Sequence, residues 1–156
     1  MHLTVHADYS LRVLIYLAGH DGSRSTIRDI AGFFDISHNH LMKVVQRQVQ
    51  QGLVIATRGK GGGLALARPA SKITVAEVVS AAEPDFDLVE CFGKGGKRCA
   101  IHRACRLKGV LSEAQHAFME VLNSYTLADL ALEAGTFRLR EWRTTRGRER
   151  ATANAG

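Results

Sequence analysis

The chain has 156 residues, the size of one ordinary domain or of one domain with an appendage. Apolar residues make up 46% and charged residues 23%, and no apolar run reaches the roughly 18 residues that a membrane helix needs. The N-terminus lacks the basic stretch and apolar core of a signal peptide, so we expect a cytoplasmic protein with no membrane partner. The net charge is +6 and there are three cysteines.

Apolar residues at helical spacing predict three helices in the first third of the chain. They cover residues 4–18, a stretch from Thr26 to Phe34, and a stretch from Ser37 to about Gln50. We expect Ser37 to cap the third helix through its hydroxyl. The turn before Ser37 is so tight that it predicts a helix-turn-helix, with an ordinary helical hairpin as the alternative.

The outward face of the third predicted helix carries basic and amide side chains and no carboxylate. Asn and Gln can read adenine edges, while Lys and Arg can read guanine edges or hold phosphates. A recognition helix presents its N-terminal part to the major groove. The candidate DNA contacts on this helix are Ser37, His38, Asn39, His40, Lys43 and Arg47, and Arg12 of the first helix is a further candidate.

Two short apolar runs, residues 53–57 and 64–67, flank the glycine-rich stretch 58–63 and predict a β-hairpin. Directly after a helix-turn-helix, this hairpin is interpreted as the wing of a winged helix. Its basic residues Arg58 and Lys60 would then lie on phosphates or in the minor groove. A phosphate-binding P-loop is disfavoured, because its Gly-Lys pair must be followed by Ser or Thr and by a helix.

A capping box at Thr74–Glu77 predicts a short helix that ends before Pro84, after which residues 85–104 lose periodicity. From Leu107 to Tyr125 apolar residues return at 4-3-4-3-4 spacing. This seam predicts a helix that pairs with its copy in a homodimer, and the alternative is a helix packed on its own domain. A dimer suits a helix-turn-helix protein that reads two half-sites of a palindromic operator in double-stranded DNA.

The three cysteines lie within 15 residues, at the spacing Cys91-x7-Cys99-x5-Cys105. An odd number argues against a closed disulfide framework, and the paired knuckles of structural zinc sites are absent. Three thiolates in a glycine-rich loop with interleaved Lys and Arg favour an iron–sulfur cluster, with a zinc site and a thiol sensor as alternatives. A cysteine enzyme with Cys99 or Cys105 as nucleophile and His102 as base is disfavoured, because no oxyanion motif accompanies them.

Taken together, these motifs resemble the IscR/NsrR family of winged-helix iron–sulfur regulators. The resemblance covers about residues 1–132 and implies a dimeric repressor, not an enzyme, whose operator affinity depends on a bound cluster, with 4Fe-4S favoured over 2Fe-2S. The stretches that carry it are Asp8–Leu14, Ile30-Ala31, Ile36-Ser37, Leu41, the wing Arg58–Gly63, the three cysteines and Thr126–Leu130.

The family pattern also suggests a signal and a fourth cluster ligand. Where the cluster-assembly regulators carry a histidine ligand, three residues after the last cysteine, this chain has Lys108. The departure favours the branch that senses nitric oxide, in which nitrosylation of the cluster lowers operator affinity. The open ligand position could be filled by Asp8, Glu90, His102, water or a small thiol, and we expect Asp8 supplied across the dimer. The alternative role for Asp8 is a first-turn carboxylate favoured by the helix dipole.

The predicted fold class is mainly α with a small β-hairpin, a winged helix-turn-helix plus a long dimerisation helix. Residues 138–150 hold six arginines and two glutamates, so much of the net charge belongs to a tail that we expect to be disordered. The predicted division is 1–83 as the DNA-binding domain, 84–106 as the iron–sulfur cluster-binding loop, 107–137 as the dimerisation helix and a short C-terminal helix, and 138–156 as the basic tail.

Overall fold

The computed structural model describes residues 2–83, 87–93 and 99–132. It confirms the predicted fold class, because these residues form mainly helices and one antiparallel hairpin. The predicted tail 138–156 lies outside the described residues. The elements are α1 Val5–Ala18, α2 Ile27–Phe34, α3 His38–Gln50, β1 Val54–Thr57, β2 Gly63–Leu66, a 3-10 turn Ala70–Lys72, α4 Val75–Ala82, α5 Arg106–Asn123 and α6 Leu127–Leu130.

The helix starts show where local sequence signals were sufficient. The Thr4 hydroxyl accepts a hydrogen bond from the Ala7 amide at 3.2 Å, and Thr26 forms a full capping box with Asp29 at the start of α2. The predicted cap of α3 is wrong in its chemistry, because Ser37 occupies the N-cap position but its hydroxyl makes no capping hydrogen bond.

The capping box predicted at the start of α4 is half formed. The Thr74 hydroxyl accepts from the Glu77 amide at 3.2 Å, as expected. The Glu77 carboxylate does not return to the backbone of Thr74, because it forms an ion pair with Arg68 in the segment after the wing.

A single β-bridge from the loop between α1 and α2 supports the wing hairpin. In the hairpin itself, Val54 pairs with Leu66 and Thr57 with Gly63. Ser25, in the loop between α1 and α2, then pairs with Leu64 on the other side of β2. Its amide donates to the Leu64 carbonyl at 3.1 Å, and the Leu64 amide donates back at 2.7 Å. The hairpin is therefore anchored to the loop that precedes the helix-turn-helix.

The apolar core lies between α1, the helix-turn-helix, the hairpin and α4. Helix α1 contacts α2, α3, α4, α6 and β2, and its buried residues are apolar except for Ser10, so α1 is the central helix of the unit. The buried apolar side chains include Val13, Leu14, Leu17, Ile30, Leu41, Val44, Val45, Leu53, Leu64, Ile73 and Val78.

After α5 the chain returns to this same core. The Val75 amide donates to the Tyr125 carbonyl at 2.9 Å, and the Leu127 amide donates to the Ile73 carbonyl at 2.9 Å. Leu127 is fully buried among the core residues. The core of the predicted 1–83 domain therefore includes a side chain from the predicted 107–137 segment.

Helix α5 differs from the others because none of its residues is buried. Several of its large apolar side chains are exposed, including Leu107 at 62%, Val110 at 60% and Val121 at 60%. Its first turn follows the cysteine segment, and its last turn precedes the stretch that returns to the core. No helix in the described part of the chain is both long and apolar enough to cross a membrane.

Candidate DNA-binding face and cysteine segment

Helix α3 presents one buried and one exposed face. Leu41, Val44, Val45 and Gln48 are buried against the core. All the predicted contacts on this helix are exposed on the opposite side, where Gln46 and Gln50 join them. Gln50 was not predicted as a contact, although its amide and its spacing of seven residues from Lys43 place it on the same face.

One edge of the exposed face of α3 lies close to the start of α1. The His40 ring centroid is 6.5 Å from that of Tyr9. Partial burial, and then the positive charge of Arg47, lower the pKa of His6, while Glu83 opposes the effect. Arg47 therefore lies near the N-terminal end of α1, at the border of the exposed face.

A buried amide connects α1 directly to α3. The Gln48 side chain is 1% exposed, and its Nε2 donates to the Ser10 carbonyl oxygen at 2.9 Å. Because this bond joins two helices inside the core, it fixes the recognition helix relative to α1.

The wing turn is shaped by its glycines. Gly59 and Gly61 adopt φ values of +96° and +80°, which an L side chain rarely adopts. A Cβ at Gly62 would lie 2.3 Å from the carbonyl oxygen of Thr57. The turn leaves the predicted contacts Arg58 and Lys60 exposed at the tip.

Two predicted site residues of α1 contact each other. Arg12 forms a two-point ion pair with Asp8, with Nε 3.0 Å from Oδ1 and Nη2 2.9 Å from Oδ2. The guanidinium carbon of Arg12 also lies 6.0 Å from the Tyr9 ring centroid and 5.9 Å from that of Phe34. A contact from Arg12 to DNA, or from Asp8 to a metal, would therefore have to share these side chains with the ion pair or compete with it.

The three cysteines form no disulfide and lie on the segment that leads from α4 into α5. Cys91 and Cys105 are half-buried and Cys99 is exposed. In the ranges that the structure describes, no three His, Cys, Asp or Glu side chains are close enough to hold a metal. The predicted ligands Cys91, Cys99 and Cys105 are therefore not gathered into a metal-binding group within the described residues of one protomer, and residues 94–98 lie outside the described ranges. The Asp8 ligand was predicted to come from the partner subunit and stays a prediction.

The donor chemistry of this segment nonetheless fits an iron–sulfur cluster. Thiolates are the ligands that such clusters take, and the three thiols are accessible rather than sealed in the core. Cys105 is the N-cap residue of α5 and its side chain makes no capping hydrogen bond.

His102, one of the candidate fourth ligands, is engaged by a lysine. The Lys108 ammonium lies 3.1 Å from His102 Nε2, which accepts a hydrogen bond from it. Because the lone pair of Nε2 is used in this way, that nitrogen could ligate a metal only after Lys108 moves. Lys108, the residue that departs from the family pattern, is thus also the hydrogen-bond partner of His102.

The comparisons with known proteins match most of the chain. The Rrf2 family model, described as an iron-dependent transcriptional regulator, matches residues 3–133. The chain belongs to the Rrf2 family. It is 49% identical to the HTH-type transcriptional regulator NsrR of Bacillus subtilis over 131 residues, which are 83% of this chain and 90% of that protein. It is 42% identical to NsrR of Shouchella clausii over 147 residues, 93% and 99% of the two chains.

Solved Rrf2 structures confirm the winged helix-turn-helix. CymR, the global cysteine regulator of B. subtilis, superimposes with a TM-score of 0.71 at 26% identity, over 84% of this chain and 96% of that one. IscR of T. potens gives a TM-score of 0.67 at 26% identity, over 83% and 85%. This Rrf2 protein is accordingly a transcriptional regulator and not an enzyme, and the resemblance to the IscR/NsrR family is confirmed.

Proposed function

We propose that this Rrf2 protein is a dimeric repressor that senses nitric oxide through a bound iron–sulfur cluster. The observation that carries the proposal is its 49% identity to NsrR of B. subtilis. The family match over residues 3–133 includes all three cysteines. Lys108 at the position of the assembly regulators' histidine supports the nitric-oxide branch over the iron-supply branch.

The DNA-binding role follows from the charge and exposure of two elements. Helix α3 exposes Asn39, Lys43 and its glutamines without any carboxylate, so it can enter the major groove. Arg58 and Lys60, which are exposed on the wing, would contact phosphates beside it. The partner is a double-stranded operator, and the protein acts in the cytoplasm where that DNA lies.

The dimer is supported by the apolar surface of α5. A protomer on its own would leave Leu107, Val110 and Val121 in water. Pairing α5 with its copy would bury these side chains, and burial contributes roughly 25 cal/mol per Å² of apolar surface. A two-fold dimer would place two copies of α3 on half-sites about 34–36 Å apart in a palindromic operator.

Cys91, Cys99 and Cys105 would hold the cluster, with Asp8 of the partner subunit as the fourth ligand. When bound, a 4Fe-4S cluster, favoured over 2Fe-2S, supplies iron that reacts with nitric oxide. The three cysteines would constrain the chain between α4 and α5. Losing that constraint would change the placement of α5, and hence the spacing of the two copies of α3. A coupling of about 1–3 kcal/mol between the cysteine segment and the operator would be sufficient for such regulation.

Anaerobic purification tests the cluster and its signal together. We expect a brown protein with about four iron and four sulfide per chain for 4Fe-4S, or about two of each for 2Fe-2S. Operator binding, measured by gel shift, should fall after nitric oxide is added. Equal binding before and after addition would contradict the nitric-oxide switch. If the purified protein nevertheless contains iron and sulfide, the cluster assignment alone is supported.

The Asp8 ligand has its own test. Asp8→Ala should alter the absorption of the cluster or the rate of its reaction with nitric oxide, since an oxygen ligand is lost. Asp21→Ala, which removes an exposed carboxylate from the loop after α1, serves as the matched control and should change neither. Spectra and kinetics that are identical for the wild type and Asp8→Ala would exclude Asp8.

A second candidate is a redox-responsive Rrf2 regulator without a cluster. The exposed thiol of Cys99, and a set of described donors that does not converge on a metal, favour it. This candidate predicts a colourless protein free of iron and sulfide, whose operator affinity changes when thiols are oxidised and recovers on reduction. A colourless protein with stoichiometric zinc would instead indicate a zinc-stabilised DNA-binding protein.

A further inference from the structure

The loop between α1 and α2 reaches the base of the wing through a side chain. Arg24 Nη1 donates to the hydroxyl of Thr57, the last residue of β1 before the wing turn. Both residues are exposed, so this bond spans the surface rather than the core. The next residue of the loop, Ser25, is the one that pairs with Leu64 of β2.

The packing at Gly63 shows how closely this loop approaches the hairpin. Gly63 opens β2 with φ +153°, and a Cβ there would lie 3.0 Å from both the Arg24 Cβ and the Ser25 carbonyl oxygen. A side chain at this position would push the loop away from the strand. Arg24 is thus held against both ends of the turn, by packing at Gly63 and by its hydrogen bond at Thr57.

We propose that Arg24 is a positioning residue that fixes the wing relative to the helix-turn-helix, and this inference rests on the proposed DNA-binding function. A two-stranded hairpin is marginally stable by itself, so its direction depends on what holds its base. The Arg24–Thr57 hydrogen bond, which we call the wing clamp, holds the strand that leads directly into Arg58 and Lys60. Through the clamp, the phosphate contacts of the wing keep a fixed distance from those of α3.

The nature of the clamp suits an arginine. A guanidinium offers five donors in a rigid plane, and a lysine would offer a single flexible ammonium. Within the described ranges no carboxylate forms an ion pair with Arg24, so its charge also adds to the positive potential beside Arg58 and Lys60. The bond to a neutral hydroxyl fixes the strand without neutralising that charge.

Variants of Thr57 that keep or remove its hydroxyl separate positioning from direct contact with DNA. The probe is a duplex of about 30 base pairs recovered by the full-length holo-protein from a random-sequence pool. Arg24→Gln and Thr57→Val should each weaken binding about tenfold. Thr57→Ser retains the hydroxyl and should bind as the wild type does. If Thr57→Val binds normally while Arg24→Gln does not, Arg24 contacts phosphate directly and the positioning role is refuted.

Removing the wing charges gives a test that distinguishes positioning of the wing from a general effect on the fold. In a protein that carries Arg58→Gln and Lys60→Gln, the wing has no charge left to position. Thr57→Val, which breaks the clamp without removing a charge, should then cause no further loss of affinity, and an additional tenfold loss would overturn the proposal. If the wild type recovers no duplex from the pool, the proposed DNA-binding function fails; if it does but all the variants bind equally well, only the clamp fails.

Discussion

Gly62 lies where the wing turn has no room for a side chain. In Gly62→Ala the new methyl group would stand 2.3 Å from the Thr57 carbonyl oxygen and 2.9 Å from the Gly59 carbonyl oxygen. Favourable contacts between carbon and other heavy atoms lie at about 3.5–4.0 Å, so the shortfall at Thr57 exceeds about 1 Å. The opposing atoms are backbone, so no side-chain rotation can relieve the clash, and the turn itself must move.

The cost of this movement should appear mainly in DNA binding. Overpacking in a constrained site costs about 1–3 kcal/mol, but an exposed turn can open, so we expect the free energy of unfolding to fall by no more than about 1 kcal/mol. For a chain of this size that corresponds to a melting temperature lower by about 2–4 °C. The displaced Arg58 and Lys60 should reduce operator affinity at least about tenfold, equivalent to about 1.4 kcal/mol.

Thermal denaturation and fluorescence anisotropy with labelled operator would measure the two effects separately. Gly32→Ala is the matched control, because a Cβ at this helical position meets nothing within 4 Å. It should raise stability by about 0.5–1 kcal/mol through helix propensity. The reasoning is refuted if Gly62→Ala binds operator with wild-type affinity, because the wing would then tolerate displacement or contact no DNA.

Three further outcomes follow from the packing and the charges. Leu127→Ala should lower the free energy of unfolding by about 2–5 kcal/mol in urea denaturation at fixed protein concentration, because Leu127 is fully buried, whereas Leu130→Ala, at a partly exposed site, should cost less than about 1 kcal/mol. Because the pKa of His6 is lowered on folding, the unfolded chain binds the proton more readily, and stability should fall as the pH drops below about 6.5. Arg47→Gln should raise the pKa of His6 in an NMR titration, and an unchanged or lower value would exclude the charge of Arg47 as a cause.

The bounds of the first helices were predictable from the sequence because their signals lie within a few residues. Helical periodicity predicted the ends of the first two helices to within a residue, and the structure shows local caps at Thr4 and Thr26. The reciprocal bond expected from Glu77 failed because Arg68, from a different segment, takes its carboxylate. A spacing rule contains no information about such a competing partner.

Parts of the candidate site depended on longer-range contacts. The exposed face of α3 was predictable from its period alone, and it carries the expected residues. Arg24 was not predicted, because its partner Thr57 is 33 residues away and the loop between α1 and α2 has no period. The Asp8–Arg12 ion pair, by contrast, has the i, i+4 spacing of a helical pair and could have been inferred from the sequence.

Because Leu127 is part of the core, the core can be completed only late in the synthesis of the chain. Domains generally begin to fold from the N-terminus as the chain emerges from the ribosome. Here the DNA-binding unit cannot close its core until residue 127 is available, after the cysteines and α5 have already been made. A chain that ends before that point would therefore lack a complete core beneath the helix-turn-helix and the wing. Translation thus delivers the DNA-binding unit only together with the segment that would regulate it.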